Sequence, residues 1–142
     1  MANIIEWNPD TPEAGGYVVL NGEAYTTSTA LCDAIAAGKV PADKVHVAGA
    51  YALALWARYD WYIGSTGEYR KTGQSAAASA DTGTFMVVLE ARARSIVAID
   101  PDNKELAAAI ERCVEFGRVA FEARRDSAAM SDAVYTAAQS IY

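Results

Sequence analysis

Apolar and polar positions follow two regimes along this chain, and they divide it near residue 26. Before that point the apolar residues come in short β-type runs: Ile4-Ile5-Glu6-Trp7, Tyr17-Val18-Val19-Leu20, and Glu23-Ala24-Tyr25-Thr26. The first run is ended by Asn8-Pro9-Asp10-Thr11-Pro12, where two prolines and two turn formers forbid a helix, so it reads as an extended arm. The second and third runs are separated by Asn21-Gly22. A type I′ turn needs positive φ at both central residues, and Asn-Gly meets that demand, so a β-hairpin is predicted here.

Beyond residue 26 the period lengthens to that of a helix. Thr27-Ser28-Thr29 offers capping hydroxyls to a short helix over 30–37, and Gly38 supplies a left-handed stop. Pro41 opens a second helix with Asp43 in its first turn. From Val45 to Ala57 its only ionisable side chain is His46, a pattern that predicts burial on every side, in a core or between subunits. A glycine-rich stretch from Gly64 to Gly73 reads as loop, and residues 75–80, poor in large side chains, read as a helix start or a mobile loop. Phe85, Leu89 and Ile96 then fit one face of a helix over about 81–98, although Thr84–Val88 alone has strand propensity. Asp100-Pro101-Asp102 reads as the start of the clearest element, an amphipathic helix over about 101–126. Its apolar stripe is Leu106, Ile110, Cys113, Val114, Gly117 and Phe121, with Glu111, Arg112, Glu115, Arg118, Glu122 and Arg125 opposite. Ser127 or Ser131 begins a last helix through Val134, Tyr135 and Ile141. The prediction is a single mainly α domain over 1–142, a bundle of four to five helices (27–142) preceded by an extended arm and one β-hairpin (1–26).

Composition sharpens this picture. The chain has 142 residues, 52 % of them hydrophobic and 21 % charged, with four prolines and ten glycines, which is globular and long enough for one true core. Alanine fills 30 positions, a bias toward helix. The start, MANIIEWNPD, has neither the positive flank nor the apolar run of a signal peptide, and no stretch is long enough to span a bilayer. The expectation is a soluble protein made in a cytoplasm. Net charge is −6 and uneven: residues 1–38 hold five acids and no base, whereas the other 104 residues hold 13 acids and 12 bases. That balance argues against general nucleic-acid binding, which needs a basic face to neutralise phosphates.

Candidate chemistry is sparse. Cys32 and Cys113 stand in isolated settings without zinc-site spacing and read as buried thiols. His46 is the single histidine; no nucleophile elbow or papain-like motif flanks either cysteine, so a structural role is favoured and no catalytic residue, metal ligand or cofactor is assigned. Gly64, Gly67, Arg70 and Lys71 belong to a glycine-basic loop suited to an anion, but the Walker spacing is absent and a plain surface turn competes. Six of the fourteen aromatics lie between residues 51 and 69, Tyr51, Trp56, Tyr59, Trp61 and Tyr62 among them. They read as core or protein interface rather than as a stacking platform for ligands.

The charge asymmetry sets the functional expectation. An acidic arm with Ile4, Ile5 and Trp7 on one side, and Arg pairs such as Arg92/Arg94 and Arg124-Arg125 on the other, are what a head-to-tail contact between copies requires. The expectation is a non-enzymatic, self-assembling homo-oligomer without membrane or direct nucleic-acid partners. A small virion component, such as a bacteriophage capsid accessory or head-tail neck subunit, is its concrete form. Two rivals stand beside it: a small acidic inhibitor filling a basic groove of another protein, and a nucleotide- or phosphate-binding protein built on the Gly64–Gly73 loop.

Overall fold

A computed structural model describes residues 5–8, 17–20, 23–25, 28–57, 82–124 and 127–141. The fold is mainly helical, with five α-helices among these residues: α1 (Ser28–Ala36), α2 (Val45–Leu55), α3 (Thr82–Val97), α4 (Lys104–Glu122) and α5 (Ser127–Ile141). Ahead of them the backbone of β1 (Ile5–Asn8), β2 (Tyr17–Leu20) and β3 (Glu23–Tyr25) is paired antiparallel in that order, with Ile5 opposite Leu20 and Leu20 opposite Glu23. The Asn21-Gly22 turn on which the hairpin expectation rests lies outside the described residues. β3 packs onto α1, and Tyr25 at its end is buried in the helical core.

α2 is the axis of the domain. Every residue from Val47 to Ala57 is buried, and α2 packs against each of the other four helices. Burial on all sides, expected from its apolar pattern, is therefore met inside one chain. Pro41 does not start this helix directly: a single 3-10 turn, Ala42–Lys44, intervenes, closed by the Lys44 N–H donating to the Pro41 carbonyl at 2.9 Å. The alanine content of α2 lets neighbours approach closely. At Gly49 a methyl group would collide with Leu106 Cδ1 and meet Ile96 Cγ2 in van der Waals contact, so α2, α3 and α4 cross here at a spacing suited to glycine.

α3 is helical from its first turn, and Phe85, Leu89 and Ile96 are fully buried as their spacing predicts. Trp56 and Phe85 join the end of α2 to the start of α3, their rings 5.6 Å apart and tilted by 43°. Gly38 stops α1 with φ of 76°, the left-handed stop expected of it.

Three expectations are corrected. The 101–126 helix begins three residues later, at Lys104, because Asn103 is its cap: Asn103 Oδ1 accepts from the Leu106 N–H at 3.0 Å. Asp100-Pro101 instead occupies a turn closed by the Asn103 N–H on the Asp100 carbonyl at 3.0 Å, with Pro at its second position. Phe121 leaves the buried stripe and is 37 % exposed, one residue before the end of α4. Arg92 and Arg94 do not act as a pair. Two residues apart on a helix are about 200° apart around it, so one turns inward while the other faces solvent.

Candidate functional site

The outer face of the α3–α4 hairpin gathers Glu90, Arg94, Glu111, Glu115 and Arg118. The two helices are joined by six residues, and Glu90 beside Arg118 shows that they run antiparallel. Arg118 Nη2 donates to Glu90 Oε2 at 3.0 Å across the helices, while Nη1 donates to Glu115 Oε2 at 2.6 Å and lies 3.9 Å from Glu111. The bond to Glu90, above all, holds the Arg118 guanidinium above its ordinary pKa. The charged face expected for this helix is thus real, but one of its links reaches another helix, which spacing along one helix cannot reveal.

Beside that pair opens a groove of about 340 Å³. Ala93, Val97, Ala107, Ile110 and Val114 form its apolar floor, and Glu90, Arg94, Glu111 and Arg118 form its rim. Arg94 is exposed and makes no ion pair among the described residues.

Arg92 has a different task. Its Nη2 donates to Ser28 Oγ at 2.9 Å and reaches Thr29 Oγ1 at 3.4 Å, tying α3 to the first turn of α1, and its Nε is buried without a hydrogen-bond partner among the described residues. Arg112, assigned to the solvated face, latches α4 to α5: its Nε donates to Ser140 Oγ at 3.0 Å, Ser140 Oγ donates to the Ala137 carbonyl at 2.7 Å, and the guanidinium lies 5.2 Å from the Phe116 ring centroid. A second, apolar cleft lies between α4 and α5, lined by Phe116, Val119, Ala120, Ala123 and Ala133.

The residues singled out from sequence are scattered. Tyr51 and Trp56 are 4 % and 8 % exposed, so they are core, the alternative weighed with an interface, and they offer no surface to a partner. Ile5 and Trp7 lie on β1. Ile4, Tyr59, Trp61, Tyr62, Arg125 and the whole anion-loop set of Gly64, Gly67, Arg70 and Lys71 fall outside the described residues. Arg124 is exposed just beyond α4, where it takes φ of 60° and its N–H donates to the Phe121 carbonyl at 2.9 Å. Cys113 is fully buried, and burial pushes its thiol up to about 12, so it is inert at neutral pH; Cys32 is half-buried against the core. His46 is half-buried on α2. Among the described residues, no group of three or more His, Cys, Asp or Glu is placed to hold a metal ion, and no helix is long and apolar enough to cross a membrane.

Sequence reasoning missed Glu90 as the partner of Arg118, and no periodic signal links residues 28 apart. It also joined Arg92 to Arg94, although helical phase separates them. Comparison with protein-family models, with curated proteins and with solved structures returns no match.

Proposed function

We propose that this chain is a non-enzymatic, self-assembling structural protein that contributes identical copies to a larger homomeric particle. The observation that supports this most is the placement of free cations. Arg94 and Arg124 are exposed and make no ion pair among the described residues, while residues 1–38 hold five acids and no base. Arg124 adds weight because it sits at a left-handed position where glycine is far less strained. A chain that keeps a cation there at a cost in folding free energy has a use for the side chain.

In this reading the acidic element is the extended arm and Asn21-Gly22 hairpin of residues 1–26, docking on a neighbour at the end of α4 that carries Arg124. Such a head-to-tail contact closes into a ring or runs on as a filament. A small virion subunit, such as a bacteriophage capsid accessory or neck protein, is the concrete form proposed.

Native mass measurement of the full chain at tens of micromolar tests the reading. Discrete species above the monomer are expected, partly dissociated by salt because screening weakens the ionic share of the contact. A strict monomer at every concentration and salt would remove self-assembly and favour the acidic-inhibitor alternative, since an inhibitor is monomeric until it meets its target.

A further inference from the structure

We infer that the outer face of α3 and α4 is a two-fold interface between copies of this chain, in which Arg94 of each copy pairs with Glu111 of the other. This inference rests on the self-assembly reading and names a contact separate from that of the acidic arm. It comes from the order of charges around the α3–α4 groove. Moving along the groove, the α3 wall presents Glu90 and then, one turn on, Arg94; the α4 wall presents Arg118 at the level of Glu90 and Glu111 further along in the same direction. The two walls are therefore opposite in sign at both levels.

A two-fold axis running along the groove lays α3 of one copy on α4 of the other, antiparallel, and closes a four-helix contact. That operation places Glu90 over Arg118 of the second copy and Arg94 over Glu111 of the second copy, unlike charge on unlike charge at each level. At 1.5 Å per residue, Arg94 lies about 6 Å along the groove from Glu90 and Glu111 about 10 Å from Arg118, an offset of roughly 4 Å that an arginine side chain spans. An isologous contact has to be self-complementary in this way, whereas a foreign ligand places no such demand on the surface. The floor fits the same occupant. Ala93 and Ala107 are small enough for helices to approach closely, and Ile110 and Val114 supply the apolar surface to be covered.

The charges are also available. Arg94 has no ion-pair partner among the described residues, and Glu111 is 71 % exposed with only a distant contact, 3.9 Å, to an Arg118 that is already bound by Glu90 and Glu115. Both side chains lie on the surface, so replacing them leaves the helical core untouched.

The test uses full-length R94E, E111R, the double variant R94E/E111R and an equimolar mixture of the two single variants, followed by sedimentation and native mass measurement at low salt, with helix content checked by circular dichroism. Each single reversal sets like charge on like charge twice per dimer and is expected to raise the dimer Kd by about tenfold or more. The mixture is expected to form a 1:1 heterodimer, which neither variant can form alone. In it the carboxylate introduced at position 94 of one chain meets the guanidinium introduced at position 111 of the other, and the unaltered Arg94 and Glu111 meet at the second contact. The double variant is expected to dimerise like the parent. Unchanged assembly of both single variants, or a mixture that associates no better than either variant alone, overturns the two-fold face while leaving self-assembly through the arm in place. A parent chain that is itself monomeric overturns both.

Discussion

Two residues show how closely function of any kind is constrained by packing here. Gly49 and Gly117 both sit in helix interiors, where alanine is ordinarily the better residue by about 1 kcal/mol. At Gly117 an added methyl would stand 3.0 Å from Leu89 Cδ2 and 3.2 Å from Val134 Cγ2, so small shifts can absorb it. At Gly49 the added methyl would overlap Leu106 Cδ1 outright, a far closer approach than either contact at Gly117, and Leu106 is fully buried, so it has little room to turn aside. Overpacking of this sort costs about 1–3 kcal/mol, which outweighs the propensity gain. Gly49→Ala is expected to lower stability in urea titration by about 1–2 kcal/mol, and Gly117→Ala by much less; equal effects would show that the two crossings are equally tight. Cys113 makes the second residue-scale prediction. Its folded pKa is raised from 9.0 to about 12 by burial, so above pH 9 the unfolded chain releases this proton and the folded chain retains it. The unfolded state is then favoured, and stability falls by roughly 1.4 kcal/mol per pH unit from this group alone as pH rises from about 9 towards 12. Cys113→Ala lacks this contribution. Its stability deficit relative to the parent, set at neutral pH by the lost packing, is expected to shrink between about pH 9 and 10.5; a constant gap would show that the thiol is not held neutral.

At the scale of elements, the cap of α4 explains where the sequence was legible and where it was not. The stripe Leu106, Ile110, Cys113, Val114 and Gly117 was readable because each of these positions is buried and periodicity records burial directly. The start was misplaced because Asp100-Pro101 is a signature of both a helix start and a β-turn, and the choice was decided by Asn103 further on. Asn103→Ala removes the side-chain acceptor for the Leu106 N–H and the Nδ2 donor that reaches Asp100 Oδ2 at 3.2 Å. It is expected to cost about 1 kcal/mol, whereas Asp102→Ala, outside the cap, should stay within about 0.5 kcal/mol, both read from the urea midpoint. Equal costs would restore the earlier start. The same logic limits what could be read of the candidate site. Glu90, Arg94, Glu111 and Arg118 each look like an ordinary solvated charge on its own helix. Only the antiparallel seating of α3 against α4 sets them around one groove, and that seating follows from tertiary contacts at Leu89, Gly117 and Gly49 that no local pattern encodes.

For the whole molecule the question is whether its surface charges serve folding or assembly, and Arg124 separates the two. The fold gives this residue a left-handed backbone at the end of α4, the conformation Gly38 takes at the end of α1. A non-glycine residue there costs on the order of 1–2 kcal/mol, and nothing among the described residues returns that cost through an ion pair. Arg124→Gly is therefore expected to raise the thermal midpoint by roughly 2–6 °C for a domain of this size, and Arg124→Lys to leave it unchanged. Assembly should respond in the opposite sense. If the arm and hairpin of residues 1–26, with four acids and no base, dock on the Arg-bearing end of a neighbour, the glycine variant loses a cation from that contact and sediments as smaller species at low salt, while the lysine variant behaves as the parent. At high salt the glycine variant and the parent should converge, because screening at about 1 M reaches within about 3 Å and leaves only the apolar share of the contact. A glycine variant that is more stable and assembles as well as the parent at low salt would remove Arg124 from the contact, and with it the cation on which the arm is proposed to dock.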